Sequence, residues 1–97
     1  MSNARKLLVA YDIADQKRLR KVADVVEGYG YRMQYSVFVC HLSQSDIEKM
    51  KNALLKVINH ATDQCLFIDL GPSSSDDSSS IETIGRPLLT IPSLTIV

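Results

Sequence analysis

Two short stretches of the chain carry side chains suited to phosphate chemistry. The first is an apolar run that ends in Tyr11 and the carboxylate of Asp12. The second, residues 29–40, places Arg32 and Gln34 two positions apart at the start of another apolar run. A carboxylate is a ligand for Mg²⁺, and a guanidinium binds phosphate oxygens. The two stretches together would suit a phosphodiester, although Arg32 and Gln34 alone could simply end a strand in water.

Asp12 by itself is an incomplete metal site. A lone carboxylate at a strand end more often caps a helix or pairs with a basic neighbour. Mg²⁺ keeps most of its waters and normally takes one or two carboxylates together with substrate oxygens. If a two-fold axis passes near the end of the first strand, Asp12 meets its own copy, and the two carboxylates could share one Mg²⁺ or Mn²⁺.

Composition limits the class of protein. A chain of 97 residues forms one domain, and no apolar run approaches the length of a membrane span. We therefore expect a soluble cytoplasmic protein without a signal peptide and without a membrane partner. Net charge is zero, but residues 1–40 carry +3 and residues 41–97 carry −3, so an anionic partner would touch one face only. Cys40 and Cys65 lie in apolar runs without metal-ligand spacing, which predicts buried reduced thiols.

The first half of the chain predicts a strand, a helix and two strands. The strand "KLLVAYD" ends at Asp12, and Asp15 is a candidate N-cap for a helix over about residues 16–28 that Gly28 and Gly30 stop. The apolar stripe of that helix leaves its basic residues outside the core; they are Lys17, Arg18, Arg20 and Lys21. Strands are expected near residues 31–34 and 36–42.

The second half predicts a helix, a strand and a tail. Ser45 with Glu48 three residues later forms a capping box, and the helix is expected to end near Asn59. The strand "QCLFIDL" follows. Residues 72–80 are a flexible serine-rich link, residues 81–85 a short edge strand, and the apolar remainder to residue 97 a tail that prolines keep from being helical.

This order predicts an α+β, ferredoxin-like βαββαβ sandwich with an extra C-terminal strand or tail. The single domain covers residues 1–97, with its core at about residues 5–71. Two helices cover only one face of the sheet, yet both sets of alternating side chains in the strands are largely apolar. We therefore expect a homodimer packed sheet to sheet, with the tail across the edge of the partner's sheet.

The motifs resemble the small CRISPR-associated adaptation proteins of the family Cas two. The resemblance rests on "VAYDI", "DQKRLRKVADVVEGYG" and "YRMQYSVFVC", and it covers most of residues 7–70. It implies a ferredoxin-like homodimer that works with the CRISPR integrase, and several family members are metal-dependent endonucleases on RNA or DNA. Asp12 matches the family's metal-site and catalytic aspartate. The chain departs from the family at Val39, where many members have an acidic residue.

The resemblance also gives roles to neighbouring residues. Tyr11 precedes the aspartate as the family pattern expects, and the basic helix start matches through Arg18, Arg20 and Lys21. The second motif matches through Arg32, Gln34, Ser36 and Phe38. We expect Arg18, Arg20, Lys21, Arg32 and Gln34 to bind nucleic acid, and Tyr11, Ser36 and Phe38 to support the site.

Two functions remain open at this point. One is a metal-dependent endonuclease, and the other is a non-catalytic dimeric scaffold that binds DNA and bridges integrase subunits. An RNA-recognition module on the same fold fits less well, because it requires exposed aromatics on one sheet face. Tyr35 and Phe38, three apart in one extended run, are expected on opposite faces.

Overall fold

The fold is a four-stranded antiparallel sheet with two helices. A computed structural model describes residues 4–73 and 82–86. The elements are β1 (Arg5–Asp12), α1 (Gln16–Glu27), β2 (Gly30–Gln34), β3 (Val37–Leu42), α2 (Gln44–Leu55) and β4 (Gln64–Pro72). The strands lie in the order β2-β3-β1-β4. The predicted α+β, ferredoxin-like order is therefore confirmed.

The main core lies between the sheet and the two helices. Successive side chains of a strand point to opposite faces of the sheet. Val9 pairs with Phe38 and Leu7 pairs with Cys40, so these side chains share the face that the helices cover. The first helix contributes its predicted apolar stripe through Val22 and Val26, and the second contributes Ile47, Met50 and Leu54. The buried residues of this cluster are Leu7, Val9, Tyr11, Val22, Val26, Phe38, Cys40, Leu42, Ile47, Met50 and Leu54.

The first helix begins where the sequence predicts. The Asp15 side chain accepts a hydrogen bond from the Arg18 backbone N–H at 3.0 Å and so caps α1. Gly28 caps the other end with φ of −70°, a right-handed conformation that any residue adopts. The helix therefore does not need the special backbone freedom of glycine to stop at residue 28.

Gly30 is needed for the contact between β2 and β3 rather than for ending α1. A Cβ atom at residue 30 would overlap with the Val39 carbonyl oxygen and the Cys40 sulfur. Glycine therefore allows β2 to lie close against β3, the strand that holds both of those residues. It is required by the contact between two strands, and its proximity to the helix end is incidental.

The second helix corrects two predictions. Its N-cap is Ser43, whose hydroxyl accepts from the Asp46 N–H at 3.2 Å, so the capping box predicted at Ser45 and Glu48 is wrong. Both serines are followed three residues later by an acid, and the end of β3 at Leu42 selects the first one. The helix ends at Leu55 rather than near Asn59.

The chain leaves the sheet later than predicted. Strand β4 extends to Pro72, which pairs with Arg5 beyond a register shift. The predicted link therefore starts one residue inside the strand, and most of it lies outside the described residues, as does the tail from residue 87. Residues 82–85 of the expected edge strand do not pair with the sheet. No helix in the described ranges is long and apolar enough to cross a membrane.

The face of the sheet away from the helices is partly buried. Met33 and Val39 are buried there, with Leu8 and Val37 packed against them. Leu66 and Ile68 on β4 are each 47% exposed, and Leu70 is also exposed. The exposed apolar surface expected on this face is therefore present, but it is concentrated on β4.

Candidate functional site at the end of the first strand

Asp12 lies on the face of the sheet opposite the helices. It is the last residue of β1, it is exposed, and it has no ion pair within the described parts of the chain. Its face is fixed by alternation from Ala10, which pairs with Val37 on one side and Leu66 on the other. Gln34 pairs with Val37 and belongs to the same face. The fold thus places Asp12 and Gln34 on one face.

Tyr11 lies on the other face, in the core. Its ring centroid is 6.1 Å from that of Phe38, and its hydroxyl donates to the Tyr35 carbonyl at 3.4 Å. Burial raises the pKa of the Tyr11 hydroxyl above its ordinary value, so the phenol is neutral at physiological pH. Tyr11 and Phe38 therefore support the turn between β2 and β3 from inside the protein.

Arg32 is separated from Asp12 by the sheet. It pairs with Phe38 across the β2–β3 ladder, which places it on the helix side. Its Nη2 donates to Glu27 Oε1 at 2.9 Å, and its Nε is buried without a hydrogen-bond partner among the described residues. Arg32 and Asp12 therefore face opposite sides of the sheet, although both residues lie near the same end of it.

Tyr35 and Phe38 meet at Arg32. The guanidinium carbon is 5.2 Å from the Phe38 ring centroid and 5.7 Å from that of Tyr35. The expectation that these two rings point to opposite faces is wrong, because residues 35 and 36 form the turn between β2 and β3. Strict alternation fails where the strand is interrupted. Ser36 in this turn is half-buried, and its carbonyl accepts from the Tyr11 N–H at 3.2 Å.

Arg18 is held by a carboxylate that the sequence analysis missed. The Asp63 side chain is fully buried, and Arg18 Nε donates to its Oδ2 at 2.8 Å. Asp63 also accepts from the backbone N–H groups of Ala14 and Asn59 at 2.9 and 2.8 Å. These hydrogen bonds, the one from Arg18 first, hold the pKa of the Asp63 carboxyl far below its usual range.

Asp63 therefore connects three parts of the structure. It ties the loop after Asp12 to the start of α1 and to the segment before β4. A polar residue directly before an apolar strand was the available signal, but such residues are common, and its partner is 45 positions away. Lys17, Arg20 and Lys21 remain exposed on α1, without an ion pair to any described residue.

Comparison with known proteins identifies the family of this chain. The family model described as CRISPR associated protein Cas2 matches residues 5–77. The chain belongs to the Cas2 family. It is similar to CRISPR-associated endoribonuclease Cas2 3 of Synechocystis sp., at 40% identity over 88% of this chain and 89% of the relative. It is also similar to CRISPR-associated endoribonuclease Cas2 of Geobacter sulfurreducens, at 41% identity over 81% and 82% of the two chains.

A solved Cas2 structure has the same fold. The crystal structure of Streptococcus pyogenes Cas2 at pH 6.5 superposes with a TM-score of 0.73 at 34% identity. The match covers 82% of this chain and 99% of that one. The likeness therefore covers most of this chain, and it agrees with the family that the sequence motifs indicate.

The histidine, cysteine and acidic side chains in the described part of this Cas2-family chain do not form a metal site within one chain. Within the described ranges, no group of three or more His, Cys, Asp or Glu side chains is placed to hold a metal. Cys40 and Cys65 are free thiols, and Cys40 is buried as predicted, whereas Cys65 is only half-buried. Burial raises the pKa of the Cys40 thiol to about 11, which keeps it protonated and unreactive.

Proposed function

We propose that this chain is an endoribonuclease-type CRISPR adaptation protein that cuts phosphodiesters at two Asp12 carboxylates across a homodimer. The observation that carries the proposal is the environment of Asp12. The carboxylate is exposed at a strand end and has no cation bound to it from the described chain. It is available to a ligand, and two similar proteins are named CRISPR-associated endoribonucleases.

A dimer through the open face of the sheet would bring the two copies of Asp12 together. Leu66 pairs with Ala10 and Ile68 pairs with Leu8, so these exposed side chains share the face of Asp12. Covering them with a second copy removes apolar surface from water. The same contact would place the end of β1 near its symmetry mate, since Asp12 lies at the end of that face.

The donor set fits a hard divalent cation only when both copies contribute. At the end of β1 each chain contributes the exposed carboxylate of Asp12, and Mg²⁺ or Mn²⁺ accepts one or two carboxylates with waters and phosphate oxygens in the remaining positions. Asp12 and its copy would hold the ion. A cation bound there would polarise the phosphate and make a bound water more acidic.

The side chains of the protein would bind and orient the substrate. Arg20 and Lys21 would contact phosphates along α1, and Gln34 would reach a substrate on the Asp12 face. Arg18 donates to the buried carboxylate of Asp63, so in this proposal it positions the loop after Asp12. Arg32, in β2 beside the neighbouring turn, contacts the Tyr35 ring.

Substitution of Asp12 tests hydrolysis. We expect Asp12→Asn to abolish cutting of single-stranded RNA and DNA in Mg²⁺ or Mn²⁺ while leaving the unfolding temperature and the dimer unchanged. Asp24→Asn, on the exposed part of α1, is the matched control and should cut normally. Wild-type protein that never cuts with either metal would contradict the enzymatic part of the proposal.

A non-catalytic scaffold is the second candidate, and the scarcity of acidic ligands favours it. Within the described residues of one chain, no group of three or more His, Cys, Asp or Glu side chains is placed to hold a metal, at Asp12 or elsewhere. The dimer would then support a DNA duplex and bridge integrase subunits. Spacer acquisition that persists in Asp12→Asn would favour this function, and its duplex affinity should fall steeply with salt.

A further inference from the structure

Tyr35 is an aromatic side chain that the fold does not require. It is 76% exposed at the turn between β2 and β3, more than any other aromatic residue in the described ranges. The ring makes little contact with the core. Its removal would therefore cost the folded state little, which separates its role from that of the buried Tyr11 and Phe38.

The ring is nevertheless held in place. The Arg32 guanidinium lies 5.7 Å from its centroid, and Arg32 is itself fixed between the Phe38 ring and the Glu27 carboxylate. The Tyr35 carbonyl accepts from the Tyr11 hydroxyl at 3.4 Å. The contact with Arg32 uses one part of the ring surface and leaves most of it open to a ligand.

The ring also lies at the end of the sheet where Asp12 lies. Strands β1 and β3 are antiparallel, so the end of β1 and the start of β3 are neighbours. The Tyr11 N–H donates to the Ser36 carbonyl, which places the turn beside the residue that precedes Asp12. The turn and Asp12 therefore share one end of the sheet, with the Tyr35 ring beside Arg32.

We infer that Tyr35 is a stacking platform for an unpaired nucleobase of the substrate. The inference rests on the proposed function, because it assigns a substrate class to the same site. A phenol ring stacks on any base whose face is open, whereas bases in a duplex are stacked on one another. The platform therefore selects single-stranded nucleic acid over duplex.

Binding without cleavage provides the test. Full-length wild type, Tyr35→Leu and Tyr35→Phe would be titrated in EDTA into a 12-nucleotide single strand containing 2-aminopurine and into a hairpin duplex of the same bases. Phe keeps the ring, and Leu keeps an apolar side chain without it. We expect Tyr35→Leu to weaken single-strand binding about 5- to 150-fold, and Tyr35→Phe to bind like wild type.

The duplex is the specificity control. Its affinity should change less than about twofold in Tyr35→Leu, since the phosphate contacts remain. Equal losses on both substrates, no loss at all, or a change in the oligomeric state of Tyr35→Leu would overturn the inference. RNA and DNA versions of the single strand should respond alike, because both present a base face.

The two proposals fail in different ways. If Asp12→Asn stops cutting but Tyr35→Leu binds single strands normally, the stacking platform is wrong and the nuclease stands. If wild type never cuts but loses single-strand affinity on Tyr35→Leu, the hydrolysis is wrong and the platform stands.

Discussion

Replacing Gly30 with alanine tests how closely β2 packs on β3. The added Cβ would overlap with the Val39 carbonyl oxygen and the Cys40 sulfur and would lie 3.0 Å from the Cys40 Cα. Val39 and Cys40 are fully buried, and a backbone carbonyl cannot rotate away as a side chain can. The strand that carries Arg32 and Gln34 must therefore shift outward.

The expected loss follows from two opposing effects. Overpacking of a buried contact typically costs about 1–3 kcal/mol. Alanine in place of glycine offsets about 0.4–1 kcal/mol of that by reducing the entropy of the unfolded chain. A net loss of roughly 1–2 kcal/mol in the free energy of unfolding corresponds to a fall of about 4–16 °C in Tm for a domain of this size.

Thermal unfolding by circular dichroism at one fixed protein concentration measures this loss. Gly28→Ala is the matched control: residue 28 has a right-handed conformation, and its Cβ would lie 3.3 Å from the Val25 carbonyl oxygen. Its free energy of unfolding should change by no more than about 1 kcal/mol. An unchanged Tm in Gly30→Ala, or equal losses in both variants, would refute the close strand contact.

A double variant identifies which atom resists the new methyl group. Cys40→Ala removes the sulfur but leaves the Val39 carbonyl in place. We therefore expect the cost of Gly30→Ala to be smaller in the Cys40→Ala background, although not zero. Strictly additive costs would mean that the sulfur moves aside without strain.

Three further predictions concern Asp63, the β4 surface and the basic face of α1. Arg18 lowers the pKa of Asp63 in the folded state, so the contribution of Asp63 to stability is present above about pH 4 and is lost as the pH falls toward the folded-state pKa. In urea unfolding, the free energy of unfolding of Asp63→Asn should therefore fall less between pH 5 and pH 3 than that of wild type. An equal fall in both proteins would exclude the contribution. Leu66→Lys should convert the homodimer proposed above to a folded monomer in sedimentation experiments, whereas Leu55→Lys, 52% exposed on the helix side, should not. For single strands, the slope of log affinity against log salt should become about 0.7 less steep in Arg20→Gln and in Lys21→Gln, and Lys56→Gln is the control that should not change it. Unchanged slopes would mean that Arg20 and Lys21 do not contact phosphates.

Local patterns in the sequence were sufficient to predict the type and order of the helices and strands. The cap at Asp15, the apolar stripe of α1 and the alternation in β1 each depend on neighbours only a few residues apart. The second helix shows where this reasoning fails. Ser43 and Ser45 carry the same local signal, and only the end of β3 decides between them.

The sequence predicted which strands carry the residues of the candidate site, but not which face of the sheet each residue lies on. The sequence placed Asp12 at a strand end and Arg32 and Gln34 in the next motif, and these positions are confirmed. It could not show that the β2–β3 ladder turns Arg32 toward Phe38 while Gln34 shares the face of Asp12. A bulge between residues 32 and 34 breaks the simple alternation on which such an expectation depends.

The sequence by itself determined the order of the elements, the family and the identity of the acidic and basic residues near the end of β1. Tertiary structure alone decided which of those charges are paired. Arg18 meets Asp63, Arg32 meets Glu27, and Asp12 has no ion pair among the described residues. The physical reason is that an ion pair depends on a separation of a few ångströms in space, which packing of distant segments sets and which spacing along the chain does not record.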